Sequence, residues 1–181
     1  MARRLTFSPN DGAAIVDYNH AVFDRFVRRV RHLPGNAATR RRGIGHESLL
    51  DTFAHILNVH EVWLVYIVRG RTSDKDLRPL FEDARRHPKN WKAFDEYSKR
   101  VWRSINETVQ GLTPRGLARK VKAFWMPGQY TVRDAIMQTT LEQANHLGEI
   151  IGALWQDDVK PPNMTWIDVR RAKSTARRPK P

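Results

Sequence analysis

The chain has 181 residues, enough for one domain with a full core. It has no cysteine, which excludes disulfides, cysteine-ligated zinc and an internal catalytic thiol. Its 32 Lys+Arg outnumber its 19 Asp+Glu, a net charge of +13. The excess lies in two blocks: Arg25, Arg28, Arg29, Arg31, Arg40, Arg41 and Arg42, and the C-terminal RRAKSTARRPKP. MARRLTFSPNDG lacks the apolar stretch of a secretory signal, and the longest apolar run, VWLVYIV, is too short to span a bilayer. A cytoplasmic protein with no membrane contact is therefore expected.

The first helix is predicted over Ala13 to Leu33. Ile15, Tyr18, Val22, Phe26, Val30 and Leu33 form its apolar stripe, Asn10 or Asp11 caps it, and Pro34-Gly35 ends it. After the polar linker NAATRRRGIG, a second helix runs from about Ser48 to Val68, with Ser48 and Asp51 as a capping box. Apolar residues cover more than half of its circumference, which makes it the central helix. RGRTSDKDLRPLFEDARRHP reads as a connection with one short helix. The third long helix spans Asn90 to Val109, with Trp91, Phe94, Ser98, Val101, Ile105 and Val109 inward and Gly111 as its stop.

KVKAFW, in the Pro/Gly-rich stretch that follows, reads as one short extended piece. The fourth long helix is predicted from Val132 to about Trp155, opened by Thr131 with Asp134. Val132, Ala135, Ile136, Thr139, Gln143, His146, Ile150, Ala153 and Leu154 share one face. No alternating pattern is long enough to build a sheet. The fold class is all-α, a four-helix bundle over residues 1–169, with 170–181 as a basic tail that lacks apolar anchors.

Chemistry is suggested in one place. Glu142 and His146 are one helical turn apart and leave the same face of the fourth helix. Carboxylate and imidazole from one helix, with an imidazole from another, make a three-ligand metal site with open positions. The second helix offers two histidines. His60 sits near the centre of the apolar arc and His55 about 140° away at its edge, so periodicity leaves the choice open. His20 reads as solvent-facing, and His32, His46 and His87, at helix ends or in loops, read as ordinary surface residues. Asn19 points inward and needs hydrogen-bond partners there.

SLLDTFAHILNVHEVWL resembles the second-helix motif of the DinB/YfiT-like superfamily, in which a metal-binding histidine precedes a tryptophan by eight residues. That pair is His55 and Trp63 here. DYNHAVFDRFV resembles the family's opening Tyr-Asn pattern. LEQANHLGEI resembles its final-helix motif, with Glu142 where most members have a histidine. The His-Glu-His set of the mycothiol-dependent maleylpyruvate isomerases is the nearest variant. Leu147 and Glu149 stand where Arg and Gln are usual, and the extra C-terminal domain of those isomerases has no counterpart.

The resemblance implies a divalent metal held by His55, Glu142 and His146, with zinc or nickel favoured over iron or manganese. It implies a thiol-dependent transferase or isomerase, or a hydrolase, using a low-molecular-weight thiol from outside the chain. Glu149 is the candidate catalytic proton-transfer group. It also implies a homodimer, for which Trp91, Tyr97, Trp102 and Trp155 are the surplus aromatic surface. The competing reading is a non-enzymatic module whose basic loop and tail bind nucleic acid or an acidic protein.

Overall fold

The computed structural model describes residues 7–43 and 45–169. Four long helices carry it: α1 (Pro9–Arg31), α2 (Leu49–Glu61), α4 (Trp91–Gln110) and α6 (Val132–Gln156). Between them lie α3 (Asp74–Glu82), a 3-10 turn (Ala84–Arg86), α5 (Pro114–Ala118) and the hairpin strands β1 (Lys120–Ala123) and β2 (Met126–Thr131). The basic tail proposed for 170–181 lies outside the described residues.

Each helix begins where local chemistry satisfies its first free N–H groups. α1 starts earlier than the apolar stripe suggests. Ser8 is its cap and forms a capping box with Asp11, and Pro9 occupies the first turn, where no N–H is needed. Ser48, Asn90 and Thr131 cap α2, α4 and α6 as their sequences indicate.

The second helix is not uniform. Past Glu61 it widens into a π-helix over Val62–Ile67, with Val68 N–H bonding to Trp63 C=O. Six successive π-helical residues are uncommon, and such widening often accompanies functional sites.

The long helices close into a ring: α1 packs on α4 and α6, and α2 packs on the same two. Phe23, Phe26, Phe53, Leu57, Val101, Ile105, Ile136 and Ile150 fill the middle. The inward face predicted for α6 is buried at every position named. On α4 the stripe is wider than predicted. Tyr97 and Trp102 are buried, so neither is surplus surface for a partner, whereas Trp155 is exposed. His60 is a core histidine, edge-on to Trp102, and burial pushes its imidazole down to about 3. His20 stacks on the other side of that indole, with ring centroids 4.3 Å apart, so it is not simply solvent-facing. Asn19 is structural: its side-chain amide donates to Thr140 Oγ1 at 2.9 Å, and its backbone carbonyl accepts from the Gln143 side-chain amide.

The Lys120–Thr131 segment is a complete antiparallel hairpin rather than one extended piece. Lys120 pairs with Thr131, Ala123 pairs with Met126, and Phe124-Trp125 forms the tip. The connection between α2 and α4 is held by a buried charge cluster. Arg86, only 1 % exposed, lies 2.8 Å from Glu61 Oε2, while Arg100 donates to Glu61 Oε1 at 3.0 Å. Arg86 also donates to Asn58 Oδ1 at 3.3 Å and lies near the rings of Tyr66 and Tyr97.

Removing Arg86 leaves one oxygen of the buried Glu61 carboxylate without a cation and only the half-exposed Arg100 on the other, among the described residues. Arg86→Met is expected to lower unfolding free energy by about 3–5 kcal/mol in urea denaturation. A loss under about 1 kcal/mol, the ceiling typical of exposed pairs, would show that water already screens this cluster.

Candidate metal centre

α6 lies against α2, and the side chains that meet across that contact are ionisable. His146 Nε2 is 3.3 Å from Glu142 Oε1, and the same oxygen is 4.0 Å from His55 Nε2. His55, Glu142 and His146 thus come together, while His60 points into the core on another face. The structure adds His46, which sequence reasoning left on the surface. Its ring lies 3.9 Å from that of His55 and 5.3 Å from that of His146, centroid to centroid. One nitrogen from each of His46, His55 and His146 falls within 4.8 Å of the other two.

The loop before α2 delivers His46, and the basic block holds the loop. Arg40 and Arg42 both bind Asp157, at the C-terminal end of α6, the Arg42 contact being 2.6 Å. Arg41 pairs with Glu47, and Arg42 N–H bonds to Glu47 C=O. The loop is therefore strapped to the helix that carries His146. Gly45 completes the approach: its φ is +59°, and a Cβ there would lie 2.5 Å from Glu149 Oε2. Only glycine takes that conformation without strain and leaves room for the carboxylate. Gly43 and Gly45, both with positive φ shortly before His46, were the hint that the sequence held.

The electrostatics hold two of the imidazoles in their neutral form. Burial lowers the His55 imidazole to about 4, and His46 and His146 push it the same way. His46 is lowered too, by burial and then by His146. Near neutral pH both rings are uncharged and present a lone pair. Glu149 Oε2 sits 2.8 Å from His146 Nδ1. A proton on Nδ1 satisfies that contact, and Nε2 faces Glu142 Oε1. Carboxylate support of a ligating histidine through its second nitrogen is the usual arrangement at metal sites. In a chain with 32 lysines and arginines, neither Glu142 nor Glu149 pairs with one among the described residues. Donors around a tetrahedral ion at about 2.1 Å lie about 3.4 Å apart, close to the His146–Glu142 separation. The donor set is one that could hold a metal ion.

A family model of the DinB superfamily matches residues 19–150. The chain belongs to the DinB superfamily. The matched stretch contains His46, His55, Glu142, His146 and Glu149. No curated protein matches the chain. Among the described residues of this DinB-superfamily protein, no helix is long and apolar enough to cross a membrane.

Asp157 touches none of the donors, yet it holds the loop that presents His46. Asp157→Ala is expected to weaken zinc binding about tenfold, the low end of what loss of outer support costs, with the helical circular dichroism unchanged. Chelator competition measures it. Unchanged affinity would mean that the loop holds His46 in place without the strap.

Proposed function

We propose that this protein binds one divalent metal ion, zinc or nickel before iron or manganese, and uses it on a small organic substrate. The imidazoles of His46, His55 and His146 hold the ion, and Glu142 closes the set on the side where the fold opens. The observation that carries this reading is the convergence of three imidazole nitrogens within 4.8 Å beside a carboxylate that no lysine or arginine pairs among the described residues. An ion in this set would supply Lewis acidity toward an oxygen or thiol group. Glu149 keeps His146 oriented by holding Nδ1, which gives it a positioning role in place of direct proton transfer. Glu142, between two imidazoles and next to the cavity, is the carboxylate best placed to take a proton from an incoming ligand. Transfer, isomerisation or hydrolysis, with an external low-molecular-weight thiol as co-substrate in the first two, is the reaction class implied by the family resemblance.

The polyanion reading loses support at the loop, because Arg40, Arg41 and Arg42 are each engaged by a carboxylate. Arg31 is likewise paired, with Asp95. We also propose pairing of two copies through α6, whose Met137, Leu141 and Trp155 are exposed.

Untagged protein is expected to contain about one equivalent of metal by elemental analysis. His146→Ala is expected to lose it while keeping its helical circular dichroism, since the core is large enough to fold without an ion. Metal retained in that variant, or absent from the wild type even after loading with zinc, would contradict the proposal. Collapse of the helical signal would show that His146 is a packing residue.

A further inference from the structure

A cavity of about 500 Å³ adjoins the donor cluster. Its walls explain a feature of α2 that the bundle core alone does not. His55, Asn58, Val59, Val62 and Trp63 line it, spaced as successive positions on one helix face. α2 is apolar over more than half of its circumference because it has two apolar faces. One, with Phe53, Leu57 and Leu64, meets the core. The other, with Val59, Val62 and Trp63, faces this chamber.

The opposite wall is aromatic and half open. Trp125, at the hairpin tip, lies 6.0 Å from the rings of both Trp63 and Phe81, and Phe124 packs edge-on to it. Phe81, Phe124 and Trp125 remain 45 %, 42 % and 41 % exposed, an unusual concentration of large apolar side chains on a chain this polar. No lysine or arginine lines the cavity among the described residues. Its polar atoms lie at defined places. His55, Glu142 and Gln138 form the end next to the donor cluster, where Gln138 reaches toward Glu142 Oε2 at 3.5 Å. Asn58 sits on the α2 wall with its oxygen taken by Arg86, which leaves its amide N–H groups to offer a ligand.

We propose that this chamber binds a small molecule with a flat, uncharged apolar body, on the order of one or two rings in size, and a single metal-ligating head group. The body lies along the apolar lining of Val59, Val62, Phe81 and the Trp63–Trp125 pair, and the head meets the edge formed by His55 and Glu142. The chemistry of the walls selects for this class. Aromatic faces bind rings through area and edge-to-face contacts, while an anionic body finds no lysine or arginine among the described lining residues, only the imidazoles of His55 and His87, to replace its lost water. A large, carboxylate-bearing thiol would thus have only its sulfur end near the donors, with the chamber left for the second substrate. The head-group half of the proposal rests on the metal reading above, and the body half rests on the chamber alone.

Cobalt(II)-loaded protein separates the two, because the visible cobalt bands report the ion directly. Benzohydroxamate and acetohydroxamate share a chelating head and differ in body. Benzohydroxamate is expected to perturb the bands at a concentration lower by about tenfold or more, as expected for burial of a ring. Phe81→Ala and Trp125→Ala, made singly, are expected to remove most of that ratio while cobalt and acetohydroxamate binding stay as in wild type. Both side chains are half exposed, so either variant should fold if the other does not. Equal affinity of the two hydroxamates, or a ratio that survives in both variants, would overturn the proposal. If cobalt does not bind at all, the metal reading fails, and the chamber is then judged on metal-free protein with 2-naphthol followed by its own fluorescence. Saturable binding weakened by Phe81→Ala supports the chamber, and its absence overturns it.

Discussion

The packing of α6 on α2 is the contact on which the rest depends. Long helices normally meet through apolar side chains, and along most of this contact they do. At one level the meeting groups are His55, Glu142 and His146, backed by Glu149. Imidazoles and carboxylates at such a contact lose hydration, and the loss has to be offset by partners. Here the partners are one another, and none is lysine or arginine among the described residues. Burial holds His55 neutral rather than letting it pair as a cation with Glu142. The level is therefore rich in lone pairs, a donor set that could hold a metal ion.

The remaining features support that level from outside. The arginine loop is strapped to Asp157 and brings His46 over the top. Gly45 lets the loop backbone approach Glu149 closely. Glu61, Arg86 and Arg100 fix the connection that carries Phe81. The π-helical stretch begins directly after Glu61, so the same cluster marks the point where α2 changes its winding and turns Trp63 toward the chamber. Four-helix bundles commonly build sites between facing helices, with the chemistry supplied by a few inward polar groups. This bundle adds a hairpin and a short helix on one side, which supply the chamber's outer wall.

Much of this was legible in the sequence. The four long helices followed from apolar spacing and from Ser48, Asn90 and Thr131, because helix capping and periodicity are local effects. Glu142 and His146 followed from being one turn apart. His55 did not: periodicity placed it at the edge of an arc, and a ligand at a helix edge has the same spacing as a solvated one. Only the resemblance of its surroundings to a family motif separated it from His60. His46 was illegible for a different reason. It is presented by a loop whose position depends on Arg40 and Arg42 reaching a carboxylate more than a hundred residues away, and no local pattern encodes a contact of that range. Charge counting found the same arginines and read them as an open basic surface, since composition does not reveal which charges are already paired. The breadth of α2's apolar arc was visible as well, but it took the second face of the helix to explain it.

X-ray absorption at the metal edge of zinc-loaded protein tests the central claim most directly, because it counts the imidazoles around the ion. The account predicts a shell of nitrogen and oxygen at about 2.0–2.1 Å with multiple scattering from three histidines, falling to two in His46→Ala. A shell of water-like oxygen with no imidazole scattering, or one unaltered by His46→Ala and by His55→Ala, would contradict it.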